Sequence, residues 1–261
     1  MSERSITQVK TKDGINWYCE REGNGPHLLL IPSGEGDCEA FTKPMSILAK
    51  SFTVTTFDMP GMSRSTAPES AMSDISASKL ATQVINLMDE LSIDKATIWG
   101  CSSGGLVALA LGADHPQRIR NLVVHEVPLA APDFLQFLPK MPDEEIVKNC
   151  RENYATGFTE NPEQWKALGP AYHERLDRNF VTWARTYVCK VERSFSKEEL
   201  TRRPVKWTIG AITPAGIFFQ NVQDGFAAGI PVGLLPSKHF PQVTIPEIFA
   251  EHIKSATDEH L

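Results

Sequence analysis

The chain has 261 residues, with 26 lysines and arginines against 32 aspartates and glutamates, so its formal net charge is −6. This length suits one large α/β domain with an insertion, and it can bury a substantial core. Because the charge is mildly acidic and the basic residues form no cluster, we expect neither nucleic acid nor an anionic membrane surface as a partner.

The start of the chain and its cysteines bear on the expected compartment. Residues 1–12 are polar and charged, without the apolar core of a signal peptide, and no run approaches the ~20 apolar residues of a membrane span. The five cysteines are scattered, odd in number and without metal-ligand spacing. We therefore expect reduced thiols, a cytoplasmic protein, and no bound metal or cofactor.

The first elements alternate between strand and helix patterns. Residues 6–22 predict a hairpin with a tight turn at Asp13-Gly14, and the aliphatic runs 27–31 and 54–57 predict strands buried on both faces. Apolar residues at helical spacing predict a helix over 76–91, capped by Ser76 or Ser78. A further strand is expected at 119–127. This alternation predicts a parallel sheet.

The alternation stops after the sixth strand. Residues 128–199 contain no clear strand pattern and are rich in proline and aromatic residues, whereas strands return at 205–210 and 231–235. Helices are predicted at Ala215–Ala228 and Pro246–Ala256. The sequence thus predicts an α/β fold with a mostly parallel eight-stranded sheet flanked by helices. Its core domain would comprise residues 1–127 and 200–261, and a helical cap would comprise residues 128–199.

The pattern Gly-x-Ser-x-Gly occurs at Gly100, Ser102 and Gly104, between an apolar run at 96–99 and a helical run at 105–112. Strand, motif and helix together indicate a nucleophile elbow, in which a strained turn exposes the serine hydroxyl. The sequence therefore predicts Ser102 as a catalytic nucleophile.

A serine nucleophile needs a base, and in elbow-type hydrolases the chain order is serine, acid, histidine. His239 follows the last predicted strand, at the sheet edge where Ser102 is expected. His173 falls in the cap, while His252 and His260 fall on or after the terminal helix. His239 is therefore the predicted base.

The acid in this class usually follows the seventh strand. Here that loop, residues 210–215, contains no carboxylate, and Asp224 lies deep in the following predicted helix. Glu126, by contrast, ends the sixth strand beside the serine's strand. We expect Glu126 to hold the His239 tautomer and to stabilise the imidazolium.

The oxyanion hole in this class uses two backbone amides, one after the nucleophile and one in the loop after the third strand. The first corresponds to Ser103. The second lies in the loop 32–37, where we predict Gly34 by position.

Several blocks of the sequence resemble the fungal zearalenone hydrolases. They are residues 54–65, 99–104, 118–121, 125–126, 233–236 and 239–241. That family consists of lactonases with the α/β-hydrolase fold, which open the macrocyclic ester of a resorcylic-acid mycotoxin. The resemblance implies a serine–histidine–glutamate triad matching Ser102, His239 and Glu126, with Gly34 in the oxyanion loop and Trp183 against the substrate. It also implies a small lactone substrate.

We expect further substrate contacts at Pro128, Tyr187, Phe240 and Ser33. Ser33 stands where the family pattern leads us to expect an aspartate, and the cap diverges around residues 130–159. The preference among zearalenone and its reduced alcohols therefore stays open.

Two other functions remain as alternatives. One is a carboxylesterase or carbon–carbon hydrolase of the same fold acting on another aromatic substrate. The other is a ligand receptor derived from a hydrolase, although the chain contains no partner-docking signature. The oligomeric state is likewise open between a monomer and a homodimer.

Overall fold

The structure is a computed structural model that describes residues 3–129, 133–214 and 216–258, with the backbone alone at residues 133 and 134. The predicted helix start at Ala215 and the candidate base His260 lie outside the described residues.

The described strands form one eight-stranded sheet. In chain order they are β1 (Ser5–Lys10), β2 (Asn16–Glu22), β3 (His27–Ile31), β4 (Thr53–Phe57), β5 (Ala96–Cys101), β6 (Ile119–His125), β7 (Val205–Gly210) and β8 (Val232–Leu235). Their order across the sheet is β1-β2-β4-β3-β5-β6-β7-β8. β2 pairs antiparallel with β1 and β4, whereas all other neighbours are parallel. The predicted mostly parallel sheet is confirmed.

The described helices follow the strands in alternation and then accumulate between β6 and β7. They are α1 (Thr42–Leu48), α2 (Glu69–Met72), α3 (Ala77–Glu90), α4 (Ser103–Asp114), α5 (Asp143–Glu152), α6 (Pro162–Lys166), α7 (Pro170–Thr182), α8 (Lys197–Leu200), α9 (Phe219–Ala228), α10 (Pro241–Thr244) and α11 (Pro246–Asp258). Short 3₁₀ helices form at Cys38–Phe41, Pro116–Arg118 and Asp133–Lys140, and π-helical turns form at Asn153–Gly157 and Trp183–Tyr187.

Alternate side chains of the central strands pack into two separate hydrophobic cores. On β3, Leu29 and Ile31 belong to the core that contains α3 and α4. Leu28 and Leu30 belong to the opposite core, with α1 and α11. Strands covered on both faces need continuous apolar runs, because successive side chains point to opposite sides of the sheet. The aliphatic run of β3 therefore fixes its central position.

The helix predicted over 76–91 is α3. Its N-cap is Ser76, whose hydroxyl accepts a hydrogen bond from the Lys79 amide at 3.2 Å. Leu80, Val84 and Leu87 are buried, as the helical spacing predicts. The capping residue and the apolar face predicted for this helix are thus the ones that cap it and face the core in the structure.

Residues between β6 and β7 contain no strand where the structure describes them. Helices α5, α6 and α7 build a third hydrophobic cluster there, which includes Ile146, Tyr154, Trp165, Tyr172 and Phe180. Four buried aromatic residues of this segment therefore pack in one cluster, which Ala40, Phe240 and Val243 from the rest of the chain complete.

Two boundaries differ from the sequence prediction. Strand β6 ends at His125 rather than at residue 127, because Glu126 has a φ of +45° and turns the chain out of the sheet. Helix α9 begins at Phe219 rather than at residue 215. Gly216 has a φ of +99°, which no right-handed helix accommodates.

Candidate active site

Ser102 occupies a sharp turn between β5 and α4. Its φ of +53° and ψ of −127° lie in a region that residues with a side chain avoid. A Cβ on Gly100 would lie 2.2 Å from the Gly104 carbonyl oxygen, and a Cβ on Gly104 would lie 2.5 Å from the Pro32 carbonyl oxygen. Close backbone approach therefore requires both glycines, and the turn has the geometry of a nucleophile elbow.

Glu126 lies fully buried behind the imidazole of His239. Its Oε2 is 2.6 Å from His239 Nδ1, and its Oε1 accepts a hydrogen bond from the Gly210 amide at 2.8 Å. Burial disfavours the charged carboxylate, but the hydrogen bond from His239 and the electrostatic interactions with His239 and His125 outweigh it and lower the pKa of Glu126 to about 2. The ionised carboxylate can accept the Nδ1–H, which leaves Nε2 to take a proton.

The backbone and ring of His239 are fixed by neighbours from distant parts of the chain. Its amide donates to the Phe158 carbonyl at 3.1 Å, and its carbonyl accepts a hydrogen bond from the Cys101 thiol at 3.0 Å. The ring stacks on Phe218, with centroids 5.2 Å apart and planes inclined by 10°. Burial raises the pKa of Cys101 well above its ordinary value, so this thiol stays protonated and remains a donor.

The residue before His239 is held from two sides. Glu160 accepts a hydrogen bond from the Lys238 amide at 3.0 Å, and His125 Nε2 lies 3.1 Å from the Lys238 carbonyl oxygen. Burial lowers the pKa of His125 to about 4, so its neutral ring donates through Nε2 while Nδ1 lies 2.9 Å from the Thr208 hydroxyl. No sequence pattern predicts these contacts of the Lys238 backbone. The one available signal is that His125 directly precedes Glu126, the predicted acid.

The loop after β3 brings Gly34 towards the elbow. A Cβ on Gly34 would lie 2.8 Å from Trp183 Nε1 and 3.0 Å from the Tyr154 hydroxyl, so Gly34 is covered by these two side chains. No other described residue accepts a hydrogen bond from the amides of Gly34 and Ser103. Two unpaired donors at a helix N-terminus and a neighbouring loop are suited to a developing negative charge.

A cavity of about 570 Å³ connects the elbow to the helical segment. Ser102, Ser103 and His239 line one part of it. Most of the remaining wall is apolar and includes Leu135, Phe137, Leu138, Met141, Phe158 and Val188. A cavity of this size and polarity fits a largely apolar small molecule.

The residues predicted to contact substrate lie in two groups. Pro128 and Trp183 line the cavity. Tyr187, Phe240 and Ser33 are buried and are not among its lining residues. The Tyr187 hydroxyl donates a hydrogen bond to the Pro60 carbonyl at 2.6 Å, and the Phe240 ring packs inside the third hydrophobic cluster. Substrate contacts at Tyr187, Phe240 and Ser33 remain predictions.

No group of three or more histidine, cysteine, aspartate or glutamate side chains with metal-binding geometry occurs in residues 3–129, 133–214 and 216–258. In the same ranges, no helix combines the length and hydropathy needed to cross a membrane.

The fold and the elbow define a class of protein. Residues 26–163 match the family model for the alpha/beta hydrolase fold. Among solved structures, an epoxide hydrolase superposes with a TM-score of 0.77 at 17% identity, covering 98% of this chain and 99% of that one. An enol-lactonase from Burkholderia xenovorans has a TM-score of 0.72 at 17% identity, covering 97% of this chain and 100% of its own. These likenesses show the α/β-hydrolase fold.

Two curated relatives narrow the class further. A zearalenone hydrolase from Cladophialophora bantiana is 45% identical over 99% of both chains. A zearalenone hydrolase from Bionectria ochroleuca is 42% identical over 99% of this chain and 100% of its own. The chain therefore belongs to the zearalenone hydrolase family of α/β hydrolases, as the sequence blocks predicted.

Proposed function

We propose that the protein is a serine hydrolase that opens the macrocyclic lactone of zearalenone and related resorcylic-acid lactones. The observation that carries the reaction type is the 2.6 Å contact between Glu126 Oε2 and His239 Nδ1, together with the cavity that His239 and Ser102 both line. The substrate is inferred from the two zearalenone hydrolases that match almost the whole chain. The apolar cavity suits an aromatic macrocycle.

In the proposed reaction, Ser102 Oγ bonds to the lactone carbonyl carbon while its proton passes to His239 Nε2. The carbonyl electron pair moves to the oxygen, where the amides of Gly34 and Ser103 donate hydrogen bonds. Collapse of this intermediate breaks the ring C–O bond, and the leaving oxygen takes the proton from His239. The acyl group on Ser102 and the new alcohol remain parts of one molecule.

Water completes the proposed cycle. His239 removes a proton from water, whose oxygen bonds to the acyl carbon and forms a second tetrahedral intermediate. Collapse breaks the bond to Ser102 Oγ, His239 returns the proton to that oxygen, and a hydroxy acid leaves. Glu126 stays ionised throughout, because its low pKa keeps it an acceptor for the Nδ1–H of His239. Every step uses groups of the chain and water, so the proposal requires no cofactor.

The helical segment of residues 128–199 serves in this proposal as a cap domain over the core of residues 1–127 and 200–261. Pro128 and Trp183 would contact the substrate, and the indole would supply a flat apolar face with one donor. We also propose a cytoplasmic location, since all five cysteines are free thiols. A homodimer remains compatible with this function.

The experiment is to incubate the purified protein with zearalenone, its α and β alcohols, and a nitrophenyl ester, and to separate the products by chromatography. Ring-opened products from the lactones are the expected result. Hydrolysis of the nitrophenyl ester alone would contradict the lactonase and favour a carboxylesterase.

A further inference from the structure

Tyr154 is a rigid aromatic residue at the edge of the cavity. It lies in the π-helical turn that follows α5, and its ring packs against Phe180 and Phe240 with centroid distances of 4.9 and 5.4 Å. Trp165 and Phe158 contact it at 5.8 and 5.5 Å. A ring enclosed on several sides holds its hydroxyl in one place.

The hydroxyl of Tyr154 points to the predicted oxyanion loop. It lies 3.0 Å from the position that a Cβ on Gly34 would occupy, while Trp183 Nε1 lies 2.8 Å from the same position. Tyr154 also lines the cavity together with Ser102, Ser103 and His239. Its hydroxyl therefore lies beside the predicted oxyanion loop, on the cavity that Ser102 also lines.

This hydroxyl is a donor without an acceptor. Within the described residues it makes no hydrogen bond, and it is not one of the fully enclosed unpaired polar atoms, so it faces the cavity while the ring packs among apolar rings. Burial raises the pKa of Tyr154 well above its ordinary value, so the phenol keeps its proton across the working pH range. A buried phenol usually finds a partner, and an oxygen of the bound substrate would supply one here.

We propose that Tyr154 is a catalytic residue whose hydroxyl donates a third hydrogen bond to the oxyanion, beside the amides of Gly34 and Ser103. This inference rests on the proposed acyl transfer at Ser102. When Ser102 Oγ bonds to the carbonyl carbon, the electron pair of the C=O bond moves to the oxygen, and the hydroxyl stabilises that charge. The phenol proton is not transferred, and the pair returns to the carbonyl when the intermediate collapses.

The test is Tyr154→Phe, which removes the hydroxyl and keeps the ring. Removal of one oxyanion donor typically lowers kcat by about 100- to 1,000-fold, and we expect at least a tenfold loss with KM within about twofold. Tyr172→Phe is the matched control. Tyr172 is also buried, has an unpaired hydroxyl and packs on Trp165, but it does not line the cavity. This control should keep the wild-type kcat.

A second measurement separates a catalytic role from a structural one. A trifluoromethyl ketone forms a tetrahedral adduct on a serine nucleophile, so its inhibition constant should rise in Tyr154→Phe by about the same factor as kcat falls. Affinity for the hydrolysis product should not change. Wild-type kcat in Tyr154→Phe, a change in KM alone, or unchanged affinity for the ketone would overturn the proposal.

The choice of substrate keeps this test separate from the proposed function. Every ester hydrolysed through Ser102 passes through an oxyanion, so the variants are compared on zearalenone and on a nitrophenyl ester. If the wild type cleaves only the nitrophenyl ester, the lactonase proposal fails. The kcat ratio on that ester still decides the role of Tyr154.

Discussion

The side-chain amide of Asn179 donates a hydrogen bond to the Glu35 carbonyl at 2.6 Å, which joins helix α7 to the loop that carries Gly34. The same side chain bonds Ser63 twice, accepting from its amide at 2.7 Å and donating to its hydroxyl at 2.7 Å. Nearby, Arg175 of α7 pairs with Asp37 at 2.7 Å. The helical segment and the predicted oxyanion loop thus form one hydrogen-bonded unit.

Replacing Asn179 with leucine should lower both stability and turnover. The buried Glu35 carbonyl and Ser63 amide would lose their partner, which costs about 1–3 kcal/mol of unfolding free energy for each unsatisfied group. The displaced loop should reduce kcat by about 10- to 100-fold, since small misplacements in an active site have effects of this size. Denaturant unfolding and steady-state kinetics measure the two effects. Arg178→Ala, an exposed site on the same helix, should change neither, and wild-type kcat in the leucine variant would contradict the coupling.

Glu126→Gln should remove most of the activity and leave the fold intact. The glutamine retains an acceptor for the Gly210 amide but lacks the charge that stabilises the His239 imidazolium, and the analogous change in a serine protease lowers kcat roughly 10⁴-fold. Asp224→Asn is the control, because Asp224 on α9 does not line the cavity and pairs with Gln220 instead. Measuring kcat of both variants on the same ester tests which carboxylate is the acid of the triad. An inactive Asp224→Asn variant beside an active Glu126→Gln variant would reverse the assignment of the acid.

Gly34→Ala should impair catalysis for a steric reason. The added Cβ would meet Trp183 Nε1 at 2.8 Å and the Tyr154 hydroxyl at 3.0 Å, so either the loop or both side chains must move. We expect a loss of about 10- to 100-fold in kcat/KM. Gly233→Ala is the matched control, because its nearest neighbour, the Thr208 methyl, would be at an ordinary 3.6 Å. Equal activity of the two alanine variants would show that Gly34 has no special role.

The buried carboxyl of Glu35 should make the stability of the protein depend on pH. Its carboxyl is fully buried, Oε1 accepts from the Ser33 amide at 3.3 Å, and Oε2 has no partner within the described residues. Burial raises the pKa of Glu35 from 4.5 to about 7. The folded state binds this proton more tightly than the unfolded state. The stabilisation of the folded state by protonated Glu35 is therefore complete below pH 4.5 and is lost as the pH rises to about 7.

The test compares the wild type with Glu35→Gln by thermal or denaturant unfolding between pH 4.5 and pH 8. A shift of this size corresponds to about 3 kcal/mol, so the wild type should lose up to that amount relative to the variant as the pH rises. The difference isolates Glu35, since His125 and His252 titrate in both proteins. A difference that does not change with pH would show that the Glu35 carboxyl is not perturbed.

The sequence predicted those features that depend on local pattern. The alternation of strands and helices gave the sheet, and Gly100, Ser102 and Gly104 marked the elbow because its tight turn imposes glycine at fixed spacing. Glu126 was predicted from the absence of a carboxylate after β7, and the structure brings it to His239. These inferences needed only the order of the strands and helices and the residues adjacent to each motif in the sequence.

The parts of the site that escaped prediction depend on packing between distant segments. Asn179 and Glu35 are 144 residues apart, and no sequence pattern links them. Tyr154 reads as one more aromatic residue of the helical segment, and its place over Gly34 follows only from the packing of α5, α7 and the turn after α5. Tyr187 and Phe240 show the same difficulty, because aromatic residues near a cavity are also good core residues.

The most direct test of the proposed mechanism incubates zearalenone with the wild type and with Ser102→Ala at equal concentration, and analyses the products by chromatography and the intact protein by mass spectrometry. The proposed mechanism predicts ring-opened product from the wild type and none from the alanine variant, whose thermal midpoint should remain close to that of the wild type. In the wild type alone, rapid acid quenching should reveal a protein heavier by one zearalenone molecule, since the leaving alcohol stays tethered to the acyl group. Undiminished turnover by Ser102→Ala would contradict the proposed mechanism at its first step.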